Sequence, residues 1–329
     1  MTYGDVSQRT AAYVEVKMLE HAAPILVLEA HADTKTLPKN KADTVKFRRP
    51  IAFPVQTTAL IEGVTPTSQQ MRYEDVSVQI SQYGAITEIS DKIEDLCEDP
   101  VLNDASMMAG EQAAETKEMI NWGTLRGGSN VFYADTADNA RTDVNSVLTL
   151  SRQRAVIRFL RANRARQHTK MLASTPSYGT VSLEPAFLAF AHTDVENDIR
   201  GMTGFDPVSD YGRQGAMING EIGKVENVRY ILSPLLVPYE DAGGAAGSMK
   251  STSGTSADVY PVVVTGQHAW GTLALKGAGS MAPFVKNASE RDKSDPLGQR
   301  GFVSWKMWYA SLRLNESWMA RLEVAVTDL

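Results

Sequence analysis

The sequence is poor in cysteine and contains no long hydrophobic run. Cys97 is the single cysteine among 329 residues, so the chain cannot form an internal disulfide or a multi-thiolate metal site. The longest apolar runs, at 22–28 and 185–191, are far shorter than the roughly 20 residues that cross a bilayer. The beginning of the chain also lacks the basic and apolar regions of a signal peptide. These absences predict a protein that stays in the reducing compartment where it is made, without a membrane partner.

Signatures of catalysis and of cofactor binding are scarce. The five histidines, at 21, 31, 168, 192 and 268, never take the three- or four-residue spacing that places two metal ligands on one helix face. Residues 218–225 depart from a phosphate-binding loop at the first glycine and at the hydroxyl position. His192 beside Asp194 is the best acid–base candidate, because an imidazole and a carboxylate can pair. We therefore expect no enzyme, no cofactor and no metal, with a catalytic site around His192 as the weaker alternative.

Charge is distributed unevenly along the chain. The formal net charge is −6 at pH 7, from 33 basic and 39 acidic residues. Residues 88–118 contain ten acidic side chains and two lysines, whereas 151–170 contain six arginines, one lysine and no carboxylate. Such a chain can attract copies of itself by charge complementarity. The negative total argues against a dedicated nucleic-acid binder, although the arginine-rich segment leaves that alternative open.

Two extended segments flank a long polar stretch in the first quarter of the chain. Residues 45–55 are extended in character, and Val76, Val78 and Ile80 alternate with polar residues as in a half-buried strand. Residues 58–75 between them have no helical period and contain breakers, and loops of this length are uncommon unless they have a function. We interpret the region as a two-stranded projection that a neighbouring molecule covers.

The region after Pro100 has strong helical periodicity. Small and apolar residues recur at every third or fourth position on one face: Leu102, Ala105, Ala109, Ala113, Thr116 and Ile120. The pattern predicts a helix over about 101–126, ended by the two glycines that follow. Because the small residues let another backbone approach closely, we expect a sheet to lie flat against this face.

A second helix is predicted over 144 to about 165. Its apolar side would carry Val144, Val147, Leu148, Ala155, Phe159 and Ala162. Its other side would carry Arg154, Arg158 and Arg161. We interpret this second side as an interface between subunits or a solvated face.

The remaining elements are shorter. A helix is predicted at 14–23 and a strand-like run at 24–30, and strands are predicted at 187–191, 223–232, 259–265 and within 305–326. Thr193 with Glu196 forms a capping box for a short helix. In 242–257, 14 of the 16 residues are Gly, Ala, Ser or Thr, a composition that predicts a flexible surface loop.

Several long stretches resemble the major capsid protein of tailed bacteriophages with the Hong Kong 97-type shell fold, in particular a coat family of short-tailed phages. They are PILVLEAHADTKTLPKNKADTVKFRR (24–49), EGVTP (62–66), EDPVLNDASMMAGEQAAE (98–115), GTLRGGSNVFYA (123–134), AFAHTDVENDIRGM (189–202) and GEIGKVENVRYILSP (220–234). The resemblance implies an α+β structural protein in four parts. These are an N-terminal arm (1–45), an extended E-loop (46–85), a discontinuous peripheral domain (86–140 and 301–329) with a spine helix at about 101–126, and an axial domain (141–300) with the loop 242–257.

The resemblance also implies where and with what the protein acts. The expected partners are copies of itself in the hexamers and pentamers of an icosahedral shell, a portal, scaffolding or decoration proteins, and packaged double-stranded DNA held without specific contacts. The shell would be assembled in the cytoplasm of the host bacterium and form the virion capsid. We expect no cleaved leader segment. Lys46 is the only lysine of 46–85 and lies at the base of the loop, so we expect no covalent cross-link there.

Charged residues on the E-loop and on the second helix are the predicted contacts with carboxylates and cations of adjacent subunits. They are Arg48, Arg49, Glu62, Arg72, Arg154, Arg158 and Arg161. The main alternative is a bacterial compartment shell of the same fold, which encloses enzymes in place of DNA.

Overall fold

The computed structural model describes residues 27–92, 101–169, 184–210, 220–276, 282–287, 290 and 295–329, and its architecture is the expected α+β class. The α-helices of the described residues are α1 (Val101–Arg126), α2 (Leu150–Ala162) and α3 (Glu196–Arg200). The strands are β1 (Asp33–Leu37), β2 (Thr44–Pro50), β3 (Tyr73–Gln79), β4 (Ser81–Ser90), β5 (Val131–Tyr133), β6 (Phe187–Ala191), β7 (Phe205–Pro207), β8 (Glu221–Val225), β9 (Val228–Leu232), β10 (Tyr260–Thr265), β11 (Trp270–Leu275), β12 (Ala282–Lys286), β13 (Arg300–Arg313) and β14 (Met319–Val324). The helix expected at 14–23 lies outside the described residues.

A seven-stranded sheet in the order β5-β14-β10-β6-β9-β8-β7 forms the largest core. Alternate residues of its central strands enter different apolar clusters: Phe187 and Val262 lie in one cluster, Leu188 and Val263 in the other. Both faces of the sheet are therefore covered. This explains why the strands predicted at 187–191 and 259–265 read as continuous apolar runs with little alternation.

A second sheet is organised around the 14-residue strand β13, which pairs with β4 along its length and with β11 and β12 on its other edge. Helix α1 packs on this sheet, with Ala109 and Ala113 against Val303, Trp305 and Met307. The expected close approach of a sheet to the small residues of this helix is confirmed. The helix has the predicted bounds, and after it a Cβ at Gly127 would lie 2.8 Å from a guanidinium nitrogen of Arg313, so a side chain there would displace that guanidinium.

Helix α2 is shorter than predicted. It begins after Thr149, whose backbone is extended, and it ends before Arg164, whose φ of 56° lies in the left-handed region. Val144 and Leu148 are buried as expected, but on a non-helical approach to the helix. Val144 and Leu148 are four residues apart and can be buried by a helix or by an irregular segment. The sequence pattern therefore predicts a start of the helix that is too early.

The described part of the predicted strand at 24–30 is not a strand. Val27 and Leu28 are buried, and a short 3-10 helix follows them. Their backbone N–H groups donate to the buried carboxylate of Glu118 on α1, at 3.2 and 3.0 Å. Lys117 forms an adjacent ion pair with Glu29 at 2.6 Å. The backbone N–H groups of Val27 and Leu28 thus bind the side chain of Glu118 and not a neighbouring strand. A local sequence pattern cannot reveal a partner 90 residues away.

Residues 242–257 are tied down by hydrogen bonds, in contrast to the flexible loop expected from their composition. The carboxylate of Asp258 accepts from the backbone N–H groups of Asp241 and Thr252, at 2.8 and 3.2 Å. Asp241 in turn accepts from the backbone N–H and the hydroxyl of Ser253, at 2.9 and 2.8 Å. Two aspartates at the ends of the segment therefore organise a loop whose interior contains few large side chains.

Candidate inter-subunit surfaces

The predicted projection is a two-stranded hairpin. β2 pairs antiparallel with β3 in a continuous register from Thr44 opposite Gln79 to Pro50 opposite Tyr73. Its base contacts the body where Val45 and Val78 pack against a small apolar cluster around Leu37 and Ile80, and further along β2 the ammonium of Lys35 lies 4.9 Å from the ring centre of Phe47. Both strands alternate between exposed and half-buried residues. The hairpin therefore leaves the body of the subunit as an exposed two-stranded ribbon.

Arg48 and Arg49 each face a carboxylate on the opposite strand. Arg48 donates two hydrogen bonds to Asp75, at 2.7 and 2.9 Å, and Arg49 donates one to Glu74 at 2.8 Å. The hydrogen bond from Arg48 holds the pKa of Asp75 below its ordinary value. Both arginines thus have carboxylate partners within their own chain. The sequence does not reveal these pairs, because they depend on the register between the two strands. Their predicted contact with adjacent subunits stays a prediction.

Residues 51–72, beyond the paired strands, form a long extended excursion with a tight turn at Glu62 and Gly63. Gly63 has a φ of 76°, which a glycine adopts without strain. The excursion exposes large apolar side chains: Ile51, Phe53, Val55, Leu60, Ile61, Val64 and Met71. Val55 and Leu60 are 81% and 77% exposed. An apolar surface of this extent on one projection indicates a binding surface.

Helix α2 presents the predicted arginine face to solvent. Arg154, Arg158 and Arg161 are exposed, while the opposite side of the helix is buried through Gln153, Val156, Ile157 and Leu160. The arginines border an open cleft of about 620 Å³ that also contacts Glu226 and Asn227. Arg154 is paired with Glu226, and its Nε donates to Oε1 at 2.9 Å. Glu226 lies in the turn between β8 and β9, 72 residues from Arg154. The ion pair depends on how this turn packs beside α2, which the sequence alone does not show.

The acid–base candidate His192 has a structural contact in the fold. Its Nδ1 accepts a hydrogen bond from the backbone N–H of Asp194 at 3.1 Å, so His192 caps the 3-10 turn Thr193–Val195. Thr193 was expected to be the cap, but the histidine side chain takes that position. Burial disfavours the charged form of His192 and so lowers the pKa of its imidazole.

The carboxylate of Asp194 is also occupied. It accepts from Lys250 at 2.6 Å and from the hydroxyl of Tyr260 at 2.8 Å. Burial acts to raise its pKa, but these two hydrogen bonds and the charges of Lys250 and His192 together outweigh burial and lower the pKa. The arrangement ties the 242–257 loop to the sheet, and both members of the sequence-predicted pair act as structural groups in it.

Other kinds of site receive no support from the described part of the chain. There, no group of three or more histidine, cysteine, aspartate or glutamate side chains is placed to hold a metal ion. No helix among these residues is long and apolar enough to span a bilayer.

Comparison with known proteins identifies the family. The profile of the phage capsid protein family matches residues 73–320. The major capsid protein of Pseudomonas phage KPP21 is 22% identical in an alignment 263 residues long that covers 74% of this chain and 66% of that protein. The chain thus covers just under two thirds of the length of this relative.

Solved structures share the fold at low sequence identity. The capsid of Ralstonia phage GP4 has a TM-score of 0.64 at 12% identity and covers 90% of this chain and 87% of its own. The capsid of cyanophage Pam1 has a TM-score of 0.60 at 14% identity, with 88% and 87% covered. The match to the family profile extends from β3 to the start of β14, so it includes α1, the sheet around β13 except β1, and the seven-stranded sheet except most of β14. The chain therefore belongs to the phage capsid protein family.

Proposed function

We propose that this protein is the major capsid protein of a short-tailed bacteriophage, which assembles into the hexamers and pentamers of an icosahedral shell around double-stranded DNA. The observation that carries the proposal is the exposed apolar excursion 51–72, which extends beyond the paired strands of the hairpin. Such a projection gains stability when the surface of another copy covers it. Membership of the capsid family supplies the kind of assembly in which copies overlap.

The division of the chain into functional parts follows the same proposal. Residues 1–45 are the N-terminal arm and 46–85 the E-loop. Residues 86–140 and 301–329 form the peripheral domain around α1, and 141–300 form the axial domain. The long pairing of β4 with β13 supports the discontinuous peripheral domain, because it joins the segment after the E-loop to the end of the chain.

Charged side chains on these surfaces would select the neighbour. Within the described residues, no ion pair involves Glu62, Arg72, Arg158 or Arg161, whereas Arg48, Arg49 and Arg154 have intrachain partners. Exposed ion pairs contribute roughly 0–1 kcal/mol each. Glu62, Arg72, Arg158 and Arg161 can therefore pair with a neighbouring subunit without losing an intrachain ion pair. Arg48, Arg49 and Arg154 would contact a neighbouring subunit while they stay paired with a carboxylate of their own chain.

Further partners follow from the role of a shell. A portal, scaffolding or decoration proteins and the packaged DNA are the proposed partners, assembly would occur in the cytoplasm of the host bacterium, and the subunit would catalyse no reaction. The net charge of −6 suits a container for DNA, because a strongly basic wall would hold the DNA as it moves in.

Electron microscopy of the purified protein tests the proposal directly. The wild-type chain is expected to form closed shells, and Leu60→Asp with Ile61→Asp is expected to yield folded subunits without shells. Thr57→Asp with Thr58→Asp is the matched control, since it adds the same charge to exposed polar positions of the same excursion. A strictly monomeric wild-type protein, or normal shells from the Leu60 and Ile61 variant, would contradict the proposal.

A further inference from the structure

The exposed arginines of α2 form a face with a regular spacing. Arg154, Arg158 and Arg161 stand at positions i, i+4 and i+7, so they share one side of the helix over about 10 Å of its length. Among the described residues Arg158 has no ion-pair partner, although it borders the open cleft with Ala162. Cations held in a row on a rigid element fit a partner with carboxylates at the same helical spacing.

Helix α1 presents such a row. Asp104, Met108, Glu111, Glu115 and Met119 follow one another at intervals of four, three, four and four residues. Asp104 and Glu115 are exposed, Met108 is 68% exposed, and the opposite side of α1 is buried on the β13 sheet. No ion pair to Asp104 or Glu115 occurs within the described residues.

The two faces match in spacing as well as in charge. The pair Glu111 and Glu115 has the same four-residue interval as Arg154 and Arg158, which places charges about 6 Å apart along both helices. Exposed methionine supplies an adaptable apolar surface beside the carboxylates. In one chain the two helices lie on opposite faces of the seven-stranded sheet, α2 through Val156 and Leu160 and the end of α1 through Trp122 and Leu125.

We propose that the arginine face of α2 in one copy docks on the acidic, methionine-containing face of α1 in the next copy. This inference rests on the proposed function and names a surface pair that the shell would use. A contact between two different patches is head-to-tail, and a head-to-tail contact forms a ring when its rotation closes. The contact between α2 and α1 would therefore join the copies of a ring, whereas the E-loop contact proposed above would cover the apolar excursion 51–72.

A charge exchange tests the pair. The spacing places Arg158 opposite Glu115 when Arg154 is opposite Glu111. Arg158→Glu, and separately Glu115→Lys, are each expected to lower the shell yield at least tenfold by sedimentation and microscopy. A chain that combines the two substitutions restores opposite charges at this pair, and its yield is expected to return to within about threefold of the wild type. Arg200→Glu is the control, because it reverses another exposed helical arginine, one paired with Glu196 in its own helix.

Failure of the combined variant to recover, or normal shells from either face variant alone, overturns the inference. Normal empty shells that fail only to retain DNA in the arginine variant would assign this face to nucleic acid and also overturn it.

A cross-linking measurement separates this inference from the proposed function. With Cys97→Ser removing the native thiol, Ala162→Cys with Met119→Cys and a short bismaleimide should give a ladder of oligomers in solution. Both positions are exposed and follow Arg158 and Glu115 by four residues, so the paired charges stay in place. The ladder would support the contact even if no shell formed, whereas monomers alone at concentrations where the wild type assembles would overturn it. Either single-cysteine variant is the control and should give dimers at most.

Discussion

The β2–β3 hairpin and the seven-stranded sheet are built from strands of similar length but are stabilised in different ways. Every residue of β6, β9, β10 and β14 is buried, whereas no residue of β2 or β3 is fully buried. Burial of apolar surface contributes about 25 cal/mol per Å², so the sheet holds itself together. The hairpin depends on ladder hydrogen bonds, exposed ion pairs and a small apolar contact at its base.

This difference separates what a subunit needs in order to fold from what it needs in order to assemble. An isolated two-stranded ribbon is marginally stable in water. Substitutions in the sheet should therefore lower the stability of the single subunit, and substitutions in the hairpin should act mainly on the shell.

The largest expected effect on the subunit is at Glu323 in β14. Its side chain is 1% exposed, and it accepts hydrogen bonds from Arg141 at 2.9 and 2.7 Å. It also forms an ion pair with Arg321, in which Nε and Oε1 are 2.8 Å apart. Glu323→Gln leaves two arginine charges without their counter-charge. Breaking a buried pair in this way costs about 3–5 kcal/mol. Denaturant unfolding of the unassembled subunit should show this loss.

The matched control is Glu226→Gln, which removes the carboxylate of the exposed Arg154 pair. Its cost should stay within about 1 kcal/mol. Equal losses for the two variants would show that the burial of a carboxylate does not determine how much its ion pair contributes to the stability of the subunit.

The same contrast explains which features could be predicted from the sequence. Helix α1 and the hairpin are predicted by local periodicity, and the strands around Phe187 and Val262 by short continuous apolar runs, since each of these patterns lies within one segment. Glu323, which pairs with Arg141 across 182 residues, and Glu118, which binds backbone groups 90 residues away, have no local signal. Their roles depend on the fold that brings distant segments together.

The second expected effect concerns Glu118, which attaches the chain before the hairpin to the core. Burial raises the pKa of Glu118 to about 7, although the hydrogen bonds from Leu28 and Val27 act in the opposite direction. A carboxyl whose folded pKa exceeds its unfolded value stabilises the fold at low pH, and this contribution is lost as the pH rises from about 4.5 to 7. The loss is roughly 3 kcal/mol at 1.4 kcal/mol per pKa unit.

Glu118→Gln should remove this pH dependence, because the amide is neutral and its oxygen can still accept from the backbone. We expect the stability difference between variant and wild type, measured by thermal unfolding, to grow in favour of the variant from pH 5 to pH 8. His168, whose pKa is lowered to about 4 by burial, contributes equally to both proteins and cancels. A constant difference across this range would show that the carboxyl does not titrate there.

The smallest expected effect on the stability of the subunit is at the ion pairs of the hairpin, where an effect on assembly can be measured separately. Arg48→Glu and Arg49→Glu combined with Glu74→Arg and Asp75→Arg exchange the charges of both cross-strand pairs while preserving each pair. The unfolding free energy of the unassembled subunit should change by less than about 1 kcal/mol. If these arginines also face carboxylates of adjacent subunits, the exchanged hairpin presents like charges to them, and the shell yield should fall several-fold. A normal yield from the exchanged hairpin would confine the two pairs to a role within their own chain, because pairing across the hairpin would then account for both arginines.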